Sequence, residues 1–193
     1  MMRIQGKHIA TVLSALIPLA FSSCRSTRVL AEGEYRLASA KVENVGDVSI
    51  NDTKVESYIR QKAGWNPLVY VYNLSTKSGR GLWSKVMRKI GSAPVVYNEN
   101  LVESSVENME RHLEYLGYYD SKVVPEIKTK GRIVHVVYKV TPGKRLVISD
   151  IKYEIPTGGE FAEDFSRDSV NITIHKGDYL SEAALEEESA RSA

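Results

Sequence analysis

Cys24 is the only cysteine in 193 residues, and its position defines its chemistry better than its type does. Arg3 and Lys7 precede it without an acid, a mainly apolar run follows from Ile9 to Phe21, and the small residues Ser22 and Ser23 lead into the thiol. This is the order of a secretory signal peptide, too short to remain in a bilayer as a spanning helix. A lone thiol at the end of such a segment has no internal disulfide partner, which leaves two readings open: an ordinary signal peptide followed by a free thiol, or a thiol that is modified. The other reactive side chains are less organised. His8 lies in the signal segment, and His112, His135 and His175 show neither paired metal-ligand spacing nor a neighbouring cysteine. Glu103, Glu107, Glu110 and Glu114 recur at helical spacing and read as the wet face of a helix. The expectation is a protein without catalytic residues, metal or cofactor, and not an enzyme.

Charge narrows the class further. The sequence holds 26 Lys and Arg and 24 Asp and Glu. Removal of residues 1–23 takes Arg3 and Lys7 and no acid, leaving 24 of each sign. A net charge of zero argues against a nucleic-acid binder, whose affinity rests on neutralising phosphates. The signs are nevertheless segregated. Residues 57–98 hold no acid but carry Arg60, Lys62, Lys77, Arg80, Lys85, Arg88 and Lys89, whereas acids dominate from Asp150 onward. Such asymmetry can orient a protein against a charged surface.

The elements that must position these groups follow from periodicity. Residues 36–50 have strand spacing, with Ala38, Ala40 and Val42 on one side. Asn51 or Asp52 caps a helix through Val55, Tyr58, Ile59 and Lys62 that stops at Gly64. A tyrosine-rich stretch runs from Trp65 to Leu74. Leu82, Trp83, Val86, Met87 and Ile90 then form the apolar side of a short helix whose other side holds Lys85, Arg88 and Lys89. Two readings stay open for it: the apolar side packs on the domain, or the helix lies on anionic head groups with Trp83 at the interface. The clearest helix spans about 100–116, with Val102, Val106, Met109, Leu113 and Leu116 in one stripe, Asn100 as cap and Gly117 as stop. Residues 123–128 and 133–140 make a hairpin, and Leu146 to Ile155 reads as a further strand.

A cysteine directly after Ser22-Ser23 in this setting resembles a bacterial lipoprotein lipobox. The resemblance implies cleavage before Cys24, diacylation of its thiol and attachment to outer-membrane lipid, since two or more acyl chains at about 0.8 kcal/mol per buried methylene hold almost permanently. The order strand, helix, intervening segment, helix ending Leu116-Gly117-Tyr118-Tyr119-Asp120, and hairpin closing at Val140-Thr-Pro-Gly143 resembles a POTRA domain of the BamA and TamA family of outer-membrane assembly proteins. The phrases Ala93-Pro94-Val95-Val96-Tyr97, Met109-Glu-Arg-His-Leu113 and Gly117-Tyr-Tyr-Asp120 are most similar to TamL, the lipidated Bacteroidetes relative of TamA.

The resemblance implies an α+β fold, a β-α-α-β-β module whose three-stranded mixed sheet, in the order first, third, second, is covered by two helices. Residues 1–23 would be signal, 24–35 a tether, 36–143 the first domain with a basic insertion at about 65–97, and 144–193 a second module cut short after a helix at 181–193. A family member would continue through further repeats into a barrel, so the chain reads as an amino-terminal fragment or an early-terminated frame. The implied work is periplasm-facing assembly or translocation of outer-membrane proteins, with unfolded barrel precursors and an inner-membrane or periplasmic subunit as partners. The alternative is a membrane-anchored scaffold that bridges partners without holding clients. In this arrangement Val123, Val124, Pro125, Glu126, Ile127 and Lys128 form the exposed edge, where proline is tolerated. Trp83, Lys85, Arg88 and Lys89 are the candidate membrane-surface residues. The central strand would turn Val134, Val136, Tyr138 and Val140 toward the helices.

Overall fold

The computed structural model describes residues 26–154 and 158–191; the signal segment and Cys24 lie outside them. The element order is β1 (Arg36–Asn44), α1 (Asp52–Glu56), α2 (Leu68–Tyr72), α3 (Leu82–Ile90), α4 (Glu99–Tyr115), β2 (Tyr118–Tyr119), β3 (Lys122–Lys130), β4 (Ile133–Thr141), β5 (Lys144–Arg145), α5 (Glu160–Asp168) and α6 (Glu182–Arg191). The sheet order β1-β4-β3 puts the third long strand in the centre, as expected. Arg36 N–H donates to Arg132 O and Val45 N–H to Val140 O, so β1 and β4 run parallel, while Gly131-Arg132 turns β3 back onto β4. The result is a mixed three-stranded sheet covered by helices, followed by a smaller second module.

Burial on β4 follows its alternation. Val134, Val136, Tyr138 and Val140 are buried while His135 is exposed, the pattern of a strand with one face to the core. Contacts divide the described residues into two compact units.

The first unit contains 26–40, Gln61–Asn98 and Ile127–Val136. Here the expected tether is folded down from residue 26. Ser26, Thr27 and Leu30 are buried, Val29 N–H donates to Asn73 Oδ1 at 3.1 Å, and the Arg132 guanidinium grips the carbonyls of Ala31 and Glu34. The tyrosine-rich stretch contains α2, unrecognised in the sequence because Leu-Val-Tyr-Val-Tyr has strand composition and only five residues. α2 and α3 pack closely: a Cβ at Gly91 would fall 2.6 Å from Tyr72 Cα, and Ser92 N–H donates to Leu68 O.

The packing of α3 corrects the grouping of Arg88 and removes the first of the two readings left open for the helix. Its apolar side does not pack on the domain: Ser84 is buried, Met87 and Arg88 are half-buried, and Leu82, Trp83, Val86 and Ile90 are exposed. Arg88 does not belong with the surface cations. Its Nε donates to Ser75 Oγ and its Nη2 to the carbonyls of Thr76 and Lys77, and its guanidinium lies 5.5 Å from the Tyr72 ring centre. A cationic fork with several donors satisfies a turn's carbonyls better than solvent contact would. The Thr76 N–H donates to Ser84 Oγ at 3.0 Å and closes the same loop.

The second unit contains Lys41–Arg60, Glu99–Glu126 and the chain from Val137. Asn51 caps α1 by accepting from Lys54 N–H, but the helix ends at Glu56 instead of continuing to Gly64. The chain turns at Ser57, and Arg60 N–H donates to Ser105 Oγ on α4 at 3.0 Å. α4 begins at Glu99, one residue before the expected cap Asn100, and buries Val102, Ser105, Met109 and Leu113. Gly117 stops it with φ +87° and lies so close to the Leu180 carbonyl that a side chain would collide.

β2 and β5 pair antiparallel, Tyr118 opposite Arg145 and Tyr119 opposite Lys144. The Arg145 guanidinium stacks 3.9 Å from the Tyr179 ring centre and 5.2 Å from that of Tyr118. Of the expected strand from Leu146 to Ile155, whose last residue lies outside the described ones, residues 146–154 are not a regular strand: their pairing is a bridge between Val147 and Tyr179, with Ile148 N–H bonded to Asp178 O and Leu180 N–H to Leu146 O. A β-branched run becomes a strand only where a partner pairs with it. α5 was not read from the sequence, whereas α6 was, capped by Ser181 Oγ accepting from Ala184 N–H. Arg191 joins Glu188 and Asp168 at 2.5 and 2.6 Å, and its bonds with those from Thr173 pull the Glu188 carboxyl down to about 2. Ile148, Ile151, Tyr153, Phe165, Ile174 and Leu185 line a cavity of about 440 Å³ beside that cluster.

Candidate functional site

A three-stranded sheet has two edges, and their backbone groups have different fates here. β1's outer edge is taken. Leu37 N–H donates to Val95 O at 2.8 Å, Arg36 bridges to Val96, Tyr97 N–H donates to Tyr35 O and Ala40 N–H to Ala63 O. Gln61 locks the covering segment by donating from Nε2 to Val96 O and accepting from Asn98 N–H. The insertion therefore returns as a cover for the first strand, which its loop-like composition did not reveal.

β3 ends the sheet order. Of the residues expected to form an edge, Val123 is buried, Val124 and Ile127 are exposed, Lys128 is exposed, and Pro125 and Glu126 are half-buried. Val123 N–H is occupied by Glu110 Oε1 at 2.9 Å. Backbone N–H groups alternate in direction along a strand, so Pro125, Ile127 and Thr129 point the same way as Val123. Pro125 has no N–H. The first half of the outward row is thus occupied or lacks a donor, and Ile127 and Thr129 supply the donors of the second half.

Side chains on the adjoining face carry a polar surface. Glu126 and Lys139 pair at 2.8 Å, and this hydrogen bond together with the carboxylate's charge raises the Lys139 pKa. Ser39 Oγ and His135 Nδ1 are 2.7 Å apart. These groups are exposed or half-exposed, on an open sheet face. Among the described residues no three His, Cys, Asp or Glu side chains gather as a metal site, and no helix is long and apolar enough to cross a membrane.

His112 stacks on Tyr58 with ring centres 4.2 Å apart, and burial followed by the charge of Lys54 lowers its pKa. It is packed as an aromatic, with Nε2 buried and unpaired. The sequence-predicted residues fall into two places: Val123 to Lys128 lie together on β3, and Trp83, Lys85 and Lys89 on the exposed side of α3, from which Arg88 departs.

Among solved structures, the chain is similar to POTRA1-2 of the periplasmic domain of Omp85 from Anabaena, at 12% identity and TM-score 0.39, covering 84% of this chain and 78% of that one. It is similar to BamA from Haemophilus ducreyi lacking POTRA domains 1-3, at 14% identity and TM-score 0.40, covering 82% of this chain and 24% of that one. It is also similar to Haemophilus influenzae BamA POTRA3-5, at 11% identity and TM-score 0.31, covering 85% and 89%. No curated protein matches. The family model for POTRA, described as surface antigen variable number repeat, matches residues 37–143. POTRA domains are adaptors that perform no chemistry. β1 through the close of the β3–β4 hairpin coincides with the matched stretch, and the chain belongs to the POTRA family.

Proposed function

We propose that this chain is the lipid-anchored, periplasm-facing front of an outer-membrane assembly or translocation factor of the TamL kind, and that it holds an extended segment of an unfolded barrel precursor or a partner subunit along β3. The observation that carries this reading is the difference between the two sheet edges: β1 is covered by its own chain, and the sheet order ends on β3. Strand addition uses backbone groups, so it accepts many client sequences and requires no side-chain code. The occupied donor at Val123 and the missing one at Pro125 confine pairing to Ile127 through Lys130. Residues 36–143 form the first domain in this reading and 144–193 the second module.

A photo-crosslinker at Ile127 or Thr129 is expected to capture unfolded barrel precursor, and one at Leu37 is not. Pro125→Val is expected to extend capture two residues toward Val123. Capture unchanged by that substitution and absent at Ile127 would leave the scaffold reading, in which the blocked first half of β3 serves to prevent pairing. The anchor has its own test. Labelled palmitate is expected on the wild-type chain and absent from Cys24→Ser; equal labelling would remove the anchor from the account.

A further inference from the structure

We propose that the outward side of α3 is a seat for an anionic phospholipid surface, entered by Leu82, Trp83, Val86 and Ile90 and flanked by Lys85 and Lys89. The inference goes beyond strand capture and does not depend on it. Leu82 is 81% exposed, Trp83 62%, Ile90 57% and Val86 40%, on a nine-residue helix. At about 100° per residue, Leu82, Val86, Ile90 and Trp83 fall within a single arc, Lys85 and Lys89 border one side of it, and Ser84 and Arg88 lie opposite. The arc is therefore the reverse of a packing face: the small and polar residues go inward and the large apolar ones outward.

The helix is held in that orientation. Arg88 binds the 75–77 turn, Ser84 receives Thr76 N–H, and the close approach of Gly91 to Tyr72 fixes the end of α3 on α2. A free helix would roll its apolar arc against its own domain; this one cannot without breaking those contacts. Leu68, tied to the end of α3 by its carbonyl's bond from Ser92, is also exposed and extends the apolar surface.

The chemistry selects lipid over protein. The segment from 57 to 98 carries seven cations and no acid. Lysines beside an apolar centre with a tryptophan match head groups outside and acyl chains beneath, whereas cores of protein interfaces are depleted of lysine. Arg88, counted with the cations on sequence, is excluded from the seat because its donors are spent on Ser75, Thr76 and Lys77.

The chain has two tryptophans, so Trp65→Phe makes Trp83 the sole reporter. Trp65 is exposed, and its replacement leaves the core intact. The full chain is mixed with phosphatidylcholine vesicles or with vesicles containing phosphatidylglycerol, each with brominated acyl chains. Trp83 is expected to be quenched and blue-shifted on the anionic vesicles alone. Reversing both lysines, Lys85→Glu with Lys89→Glu, is expected to lower that partitioning by at least roughly 25-fold, about fivefold for each lysine lost, before the repulsion of the two added carboxylates. Val86→Ser is expected to weaken quenching while leaving the thermal midpoint unchanged, because the side chain is exposed. A Trp83 that stays water-exposed on anionic vesicles overturns the proposal. So does quenching indifferent to the lysine reversal, or shielding of Trp83 that grows with protein concentration in the absence of lipid, which would assign the face to a second copy of the chain.

Discussion

Gly143→Ala is expected to be among the most damaging single-atom additions in the described chain. A Cβ there would run into the Tyr119 carbonyl and lie 2.8 Å from Ser121 N. Both neighbours are backbone and cannot swing aside. Relief requires parting β5 from β2 and breaking the bond from Gly143 N–H to Ser121 Oγ, which holds the turn. The cost should be about 4 kcal/mol, the range kept for substitutions with a steric cause of this kind. For a chain of this size that is a fall of about 10 °C in the calorimetric midpoint. Gly131→Ala gives the control. Its φ of +61° carries a left-handed penalty, but nothing lies within 4 Å, so about 1 kcal/mol is expected. Equal losses at the two positions would mean that the Gly143 contact is not what the β2–β5 junction depends on.

Ser105→Ala is the second large effect, although it removes one oxygen. The Ser105 hydroxyl donates to Leu101 O and accepts from Arg60 N–H at 3.0 Å. Alanine would leave that backbone N–H without its partner, at about 1–3 kcal/mol for a buried group. A loss of about 2 kcal/mol is expected in denaturant unfolding, and a loss under about 0.5 kcal/mol would contradict the role given to the hydroxyl.

Ser105 also shows how far the sequence can be read. The stripe of Val102, Met109 and Leu113 was legible from helical period, and so was the alternation of Val134, Val136, Tyr138 and Val140. Period reports which side of an element is apolar and is blind to a serine that turns inward to serve a neighbouring segment's backbone. The same limit explains α3. Its amphipathic pattern was plain, but a pattern does not say what covers the apolar side, which is why two readings stood open where the inward residues are Ser84 and Arg88.

The open edge was partly legible. Pro125 marked 123–128 as the outer strand and the dense β-branched run at 133–140 as the central one, and the sheet order agrees. The donor lost to Glu110 was invisible, since it joins positions thirteen residues apart. The cover on β1 was invisible too, because residues 93–97 carry no strand alternation and meet β1 through backbone bonds. The close approaches at Gly117 and Gly143 had turn-like residue types, but nothing in the sequence states how near Leu180 and Tyr119 come.

The central claim is that an added strand pairs with the second half of β3. Residue-resolved amide hydrogen exchange of the chain, with and without a peptide from a barrel strand, tests it most directly. Ile127 and Thr129 N–H should become protected on peptide addition, with Val123 and the covered Leu37 unchanged. Peptide binding that leaves Ile127 and Thr129 exchanging at their free rate, or that protects residues away from β3, would contradict the claim.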